Sequence, residues 1–165
     1  MRLAAAVFGL AWLPAVAHAQ DPRSGTIQTM NDGGQTIVFI APIFVANGVT
    51  FSAAYAYPQG APATPATVML SFATGRGGPD FSQSRNLIIL LNQQTELAIG
   101  MMEYDAQNNM VRRFVPLDAY RQIAQASHVS GQVGAAAFEI PPRVQQAMQE
   151  LLSRMSGTPR PAKGQ

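Results

Sequence analysis

The sequence predicts an α+β fold that is mainly antiparallel β: a β-sandwich or a partly open barrel, with a short helix near residues 118–127 and a C-terminal amphipathic helix packed on the sheet. Three observations lead there. Between residues 26 and 117 the chain is a series of short apolar runs rich in Val, Ile, Phe and Tyr, punctuated by Asn, Asp, Gly and Pro; this is the pattern of strands joined by turns. In the last third the apolar spacing lengthens from two residues to three or four, which is helical. The chain is 47% apolar and only 12% charged, so a core can offset the entropy of ordering, and disorder of the whole chain is excluded.

Taken in order, residues 26–30 and 35–40 are strands around the turn Asn31-Asp32-Gly33-Gly34. Residues 43–46 and 49–52 flank Asn47-Gly48, a dipeptide suited to φ > 0 at both central positions of a type I′ hairpin. Pro42 marks a strand start or an edge, because it cannot donate to a ladder. From Val49 the alternation puts Val49, Phe51, Ala53, Tyr55 and Tyr57 on one face, which is expected to be buried. Residues 58–66, with three prolines, form a loop, and 67–73 form the next strand. A glycine-rich loop spans 74–85. Residues 86–91 and 95–104 pair as a hairpin around Asn92-Gln93-Gln94 and, apolar or small on both faces, belong in a central position. Residues 110–117 follow as a strand.

Asp118 is placed to cap a short helix with Leu117, Tyr120, Ile123 and Ala124 on one stripe. Residues 129–140 read as one strand, in which Gly131 and Gly134 signal a bulge or a close approach by another element. Pro141-Pro142 then opens a helix over 143–155, with Val144, Met148, Leu151, Leu152 and Met155 on its apolar face and a stop at Ser156-Gly157. There is no internal repeat.

The first 19 residues have the layout of a secretory signal peptide: Arg2, an apolar stretch over residues 3–13, a break at Pro14, and Ala17-His18-Ala19 before Gln20. The apolar run is shorter than the roughly 20 residues that a membrane-spanning helix needs. The expected organisation is a signal peptide at 1–19, one β-rich domain at 20–156 and a disordered tail at 157–165. The protein is expected to be exported, periplasmic or secreted, and not transmembrane once the signal is removed. A β-barrel of the outer membrane is disfavoured, because the chain ends on an amphipathic helix and a polar tail instead of a closing strand.

Composition excludes several chemistries. With no cysteine there is no disulfide, thiolate metal site or cysteine nucleophile. Losing Arg2 leaves ten basic against nine acidic side chains, far short of the excess that neutralises phosphates, so nucleic acid is not an expected partner. The isoelectric point of 9.4 comes from a near-balanced count and does not describe a basic surface. Once His18 leaves with the signal, His128 is the one histidine, which excludes a two-histidine metal site. No cofactor is expected.

A Ser-His-Asp arrangement would have to combine His128 with Ser127 or Ser130 and Asp118, and no G-x-S-x-G elbow supports it. A carboxylate pair needs only two acids with separated pKa values, and Glu103 with Asp105 is the pair on one strand parity. The stretch TGRGGPD at 74–80 lacks the spacing of a phosphate loop, which leaves Arg76 and Arg85 as anion contacts. Arg112 and Arg113 point to opposite faces of a strand and make no patch together. Tyr55, Tyr57, Phe72 and Phe81 are candidates to line a pocket, and Met101, Met102, Met110, Met148 and Met155 to form an adaptable surface, although stripes of this kind are mostly core.

Three functions follow as expectations. The first is a non-enzymatic binding or interaction module of the cell envelope, which needs an exposed apolar patch or an unpaired edge strand and for which Tyr55, Tyr57, Arg76 and Arg85 are the candidate surface. The second is a carrier of a small apolar ligand, with a pocket of roughly 300 Å³ or more. The third is a carboxylate-dependent hydrolase, in which one acid is held above its usual pKa.

Overall fold

The structure is a computed structural model that describes residues 23–155, except 47, 62, 76 and 77. The signal-like segment, its cleavage site, the tail at 157–165, Asn47 and Arg76 lie outside the described residues.

Among the described residues eleven strands form two antiparallel sheets and two helices complete the fold, which is the mainly antiparallel β class with a short and a C-terminal helix that the sequence predicts. The strands are β1 (Ile27–Asp32), β2 (Gln35–Ile40), β3 (Ile43–Ala46), β4 (Val49–Pro58), β5 (Thr67–Thr74), β6 (Asn86–Leu91), β7 (Thr95–Met101), β8 (Glu103–Asp105), β9 (Met110–Pro116), β10 (Val129–Val133) and β11 (Ala136–Glu139). The helices are α1 (Leu117–Gln125) and α2 (Pro142–Met155). The larger sheet runs β1-β2-β4-β5-β9-β8, with β3 also on β4, and the smaller runs β11-β10-β6-β7.

The turns follow the local chemistry. Gly33 and Gly34 take φ of 54° and 81° between β1 and β2, the left-handed pair of a type I′ turn. Asn92 and Gln93 do the same at 51° and 59°, and the Gln94 N–H closes that turn on the Leu91 carbonyl at 3.0 Å. Asn tolerates this region because its short amide bonds locally; here the Asn92 Oδ1 also accepts from the Ser127 and His128 N–H groups.

Both helices and the smaller sheet cover one face of the larger sheet, and their apolar residues join its inner side chains in a single core cluster. β4 contributes Val49, Phe51, Ala53 and Tyr55 to it, the face expected to be buried. A run of rings crosses the layers: Phe51 lies 5.4 Å from Phe72, and Phe72 lies 4.9 Å from Phe138 of the smaller sheet. The helices are tied together by Gln145 of α2, whose buried Nε2 donates to the carbonyls of Ile123, Ala124 and Ala126 at 2.8, 2.9 and 2.9 Å. These are the orphan acceptors at the end of α1, satisfied from a neighbouring helix instead of by a cap of its own.

Four expectations are corrected. The run at 95–104 is not one strand: β7 belongs to the smaller sheet and β8 to the larger, with the buried Met102 at the crossing. Apolar continuity carries no mark of a change of sheet, since Met102 is as buried at the corner as it would be within a strand. For the same reason β7 is an edge, and only β6 of that hairpin is central. Residues 129–140 are a hairpin, β10 and β11, turning at Gly134 with φ of 57°; the close approach foreseen there is real at Gly131, which sits against the Ile88 carbonyl. Asp118 does not cap α1. Pro116 occupies the cap position without a side-chain bond, and Asp118 lies in the first turn, paired with Arg121.

Candidate functional site

The opposite, outer face of the larger sheet carries a second apolar cluster of Ile37, Phe39, Ala54 and Met69, with Ala56 against it. Register explains the grouping. Phe39 faces Ala54, Ala54 faces Met69 and Met69 faces Phe114, so four neighbouring strands contribute one row. A second row, Met30, Ile37 and Ala56, lies two residues along the strands. Beyond the first row on the other side, Ser52, Ser71, Arg112 and Glu103 form a polar row, in which Arg112 Nε meets Glu103 Oε2 at 3.1 Å. The apolar band is thus bounded by polar groups, and two of its large side chains are exposed, Met30 at 37% and Phe114 at 43%.

A hollow of about 90 Å³ opens on this band, lined by Ile37, Ala54, Ala56, Pro65, Met69 and Phe114. The alanines leave room between larger neighbours, and the loop after β4 brings Pro65 to the rim. Tyr55 is also among the lining residues.

The candidate residues fall in different places. Tyr55 and Tyr57 stack at 6.0 Å between ring centroids, near the end of β4. Tyr55 is only 4% exposed. Burial pushes its phenol up to about 12, the neighbouring Tyr57 adds to the rise and Arg154 opposes it. Tyr120, fully buried with its hydroxyl donating to the Met148 carbonyl at 3.2 Å, is likewise raised by burial and by Tyr55. Arg85 stands over the ring of Tyr104 at 5.9 Å. Tyr104 shares a register row with Val111 and Phe72, and through Phe72 with Phe51, four residues along β4 from Tyr55. Arg85 therefore does not share the tyrosines' end of the sheet. Phe72 and Phe81 are core, as are Met102, Met148 and Met155, whereas Met101 is exposed.

A raised phenol pKa has a consequence for stability. The unfolded side chain loses its proton near pH 10, and folded Tyr55 holds it to about 12, so between these values the unfolded state is the one that binds fewer protons. Stability is therefore complete below pH 10 and falls as the pH rises towards 12. Urea unfolding at pH 9, 10.5 and 11.5 is expected to show this decline, and Tyr55→Phe is expected to make it shallower; an unchanged slope in the variant would place the alkaline sensitivity elsewhere.

The catalytic candidates do not assemble. His128 Nδ1 faces Glu139 Oε1 at 3.6 Å, the Ser127 hydroxyl donates to Asn92 Oδ1 at 2.9 Å, and Asp118 is engaged by Arg121. Glu103 and Asp105 share the outer face of β8, but Asp105 accepts from Asn108 Nδ2 at 2.8 Å and from the Gln107 N–H at 3.0 Å. The Asn108 side chain leads in holding its carboxyl below the usual range, the reverse of what a general acid needs. Among the described residues no group of three or more His, Asp or Glu side chains is placed to hold a metal ion, and no helix is long and apolar enough to cross a membrane.

The sequence reading does not mark the residues of the outer band; Tyr55, which it names, belongs to the inner face of β4 and only borders the hollow. One signal pointed to them: β2 reads Ile37-Val38-Phe39-Ile40, apolar on both parities, which marks a strand with two apolar faces. Compared with protein-family models, curated proteins and solved structures, the chain matches none of them.

Proposed function

We propose that the protein is an exported, non-enzymatic binding module, periplasmic or secreted, that docks a protein of the cell envelope on the outer face of its larger sheet. The observation that carries this reading is the apolar band with its hollow beside Phe114. Apolar residues on both faces of a sheet suit a surface that is covered when in use. A hollow of about 90 Å³ suits one aliphatic or aromatic side chain of a docking partner better than a carried ligand, whose pocket ordinarily runs to roughly 300 Å³ or more. A side chain set in an apolar pocket with a polar rim is the usual form of a binding hot spot. The signal-like arrangement of residues 1–19 supports export.

Phe114→Asp tests the site, because it sets a charge at the mouth of the hollow on a side chain that is already 43% exposed. Envelope proteins that co-purify with the wild type are expected to be depleted tenfold or more with the variant, at unchanged circular dichroism. Equal recovery with both proteins would remove the outer face from the reading. A wild-type protein that carries a small molecule through native mass spectrometry would favour the carrier instead.

A further inference from the structure

Each sheet ends in strands with an unpaired side, and such edges are ordinarily guarded by brevity, a bulge, a proline, a lysine or a covering element. Among the described residues, four of the five edges are guarded. β3 has four residues and a register irregularity against β4. β8 has three residues. β7 is interrupted where its register with β6 shifts, next to Gly100 at φ of 85°. β11 lies against β3 of the larger sheet. β1 differs: IQTMND contains no proline or lysine, its six residues pair with β2 in unbroken register, and among the described residues no strand pairs with its other side, while α2 packs against it without joining the ladder. Its last four residues, Thr29, Met30, Asn31 and Asp32, are exposed.

We infer that β1 pairs with the β1 of a second copy of the chain, antiparallel about a twofold axis through Met30, to make one continuous sheet across the dimer. A twofold axis normal to the sheet keeps each face on its own side, so residues opposite one another must share parity. Centred on Met30, the pairs are Met30 with the partner's Met30 and Gln28 with the partner's Asp32 on the outer face, and Thr29 with the partner's Asn31 on the inner face.

This register is complementary at every position. The one charge in the strand, Asp32, meets an amide that can donate to it, and the two copies of Asp32 stand at opposite ends of the pair, whereas parallel pairing would set them side by side. Thr29 and Asn31 can bond across the strands. Met30, 37% exposed in one copy, is in register with Ile37, so Met30 against Met30 joins the apolar bands of the two sheets into one. The contact is one strand wide and buries less than the roughly 1,200 Å² of a stable complex, which makes the dimer a weak, micromolar-range one.

Phe114 is four strands away from β1 in the sheet order, while Ile37 at the other end of the hollow is the register neighbour of Met30; variants at Phe114 and at Met30 therefore test the docking reading and the pairing separately. Sedimentation equilibrium of the purified protein over about 1 µM to 1 mM is expected to show a reversible dimer, the range set by that weak class of interface. Met30→Lys and Met30→Glu each put like charges opposite one another and are expected to raise the dissociation constant about tenfold or more. Mixed in equal amounts, the two variants are expected to recover the dimer, since Lys then faces Glu; only a position that meets its own copy behaves so. Phe114→Asp is expected to leave dimerisation unchanged. A protein that stays monomeric over the whole range, a dimer indifferent to both Met30 variants, or variants that weaken it alone but do not recover it when mixed would each overturn this pairing. Amide exchange of the variants, unchanged outside β1, separates loss of pairing from loss of fold.

Discussion

Phe72→Ala is expected to lower folding stability by about 4 kcal/mol, the scale of a fully buried aromatic truncated in a core. Phe72 is 1% exposed at the centre of the larger sheet, and its ring meets Phe51 on the neighbouring strand and Phe138 on the other sheet. Removing it takes away the apolar transfer energy of the ring, leaves a cavity between two sheets that relax only in part, and ends two ring contacts worth about 0.5–1.5 kcal/mol each. Urea unfolding followed by far-ultraviolet circular dichroism measures the loss as a lower midpoint at unchanged slope. Phe44→Ala is the control: Phe44 is 47% exposed, and the same truncation there is expected to move the midpoint little. A loss below about 1 kcal/mol at Phe72 would mean that the two sheets are not held together through this ring.

Gly131→Ala is expected to cost about 3 kcal/mol, although glycine to alanine within a strand would otherwise stabilise by reducing the freedom of the unfolded chain. Space decides the sign. A methyl group at this position would stand 2.3 Å from the Ile88 carbonyl oxygen and 2.8 Å from the Phe138 ring. The ring can tilt, but the carbonyl belongs to β6, which pairs with β10 on one side and β7 on the other. Yielding there means opening a ladder in the middle of the smaller sheet. The same unfolding measurement decides the matter, and a neutral or stabilised variant would show that β6 and β10 do not approach as closely as described.

Much of this architecture could be read in the chain because it depends on neighbours in sequence. Gly33-Gly34 and Asn92-Gln93 declare their turns through residues that accept positive φ. The alternation from Val49 to Tyr57 assigns the buried face of β4, and the spacing of Val144, Met148, Leu151 and Met155 assigns that of α2. What escaped were features that sequence neighbours do not encode. The apolar run at 95–104 gives no sign that Met102 passes between sheets, and an acid after Leu117 suggests a cap whether or not the helix begins one residue earlier.

The candidate site was harder still. Tyr55, expected on the buried face of β4 and a candidate to line a pocket, has its ring stacked on Tyr57 and buried, while the hollow it borders is built mainly from unobtrusive residues on five chain segments. Ala54, Ala56, Met69 and Phe114 carry no chemical mark. Their meaning comes from the register that lines them up.

By itself, then, the sequence determined the strand-rich class, most turns, the two helices and their buried stripes, and the absence of thiol chemistry. All of these follow from the stereochemistry and polarity of residues a few positions apart. Only the tertiary structure decided which strands share a sheet, that both helices and the smaller sheet cover the same side of the larger one, and that the other side holds an apolar band with β1 as the last strand at its end. The physical reason is range. Periodicity reports that a face is apolar, and that holds equally whether the face meets a helix, a second sheet or another molecule; which of these it meets is set by packing between segments that the chain brings together only when it folds.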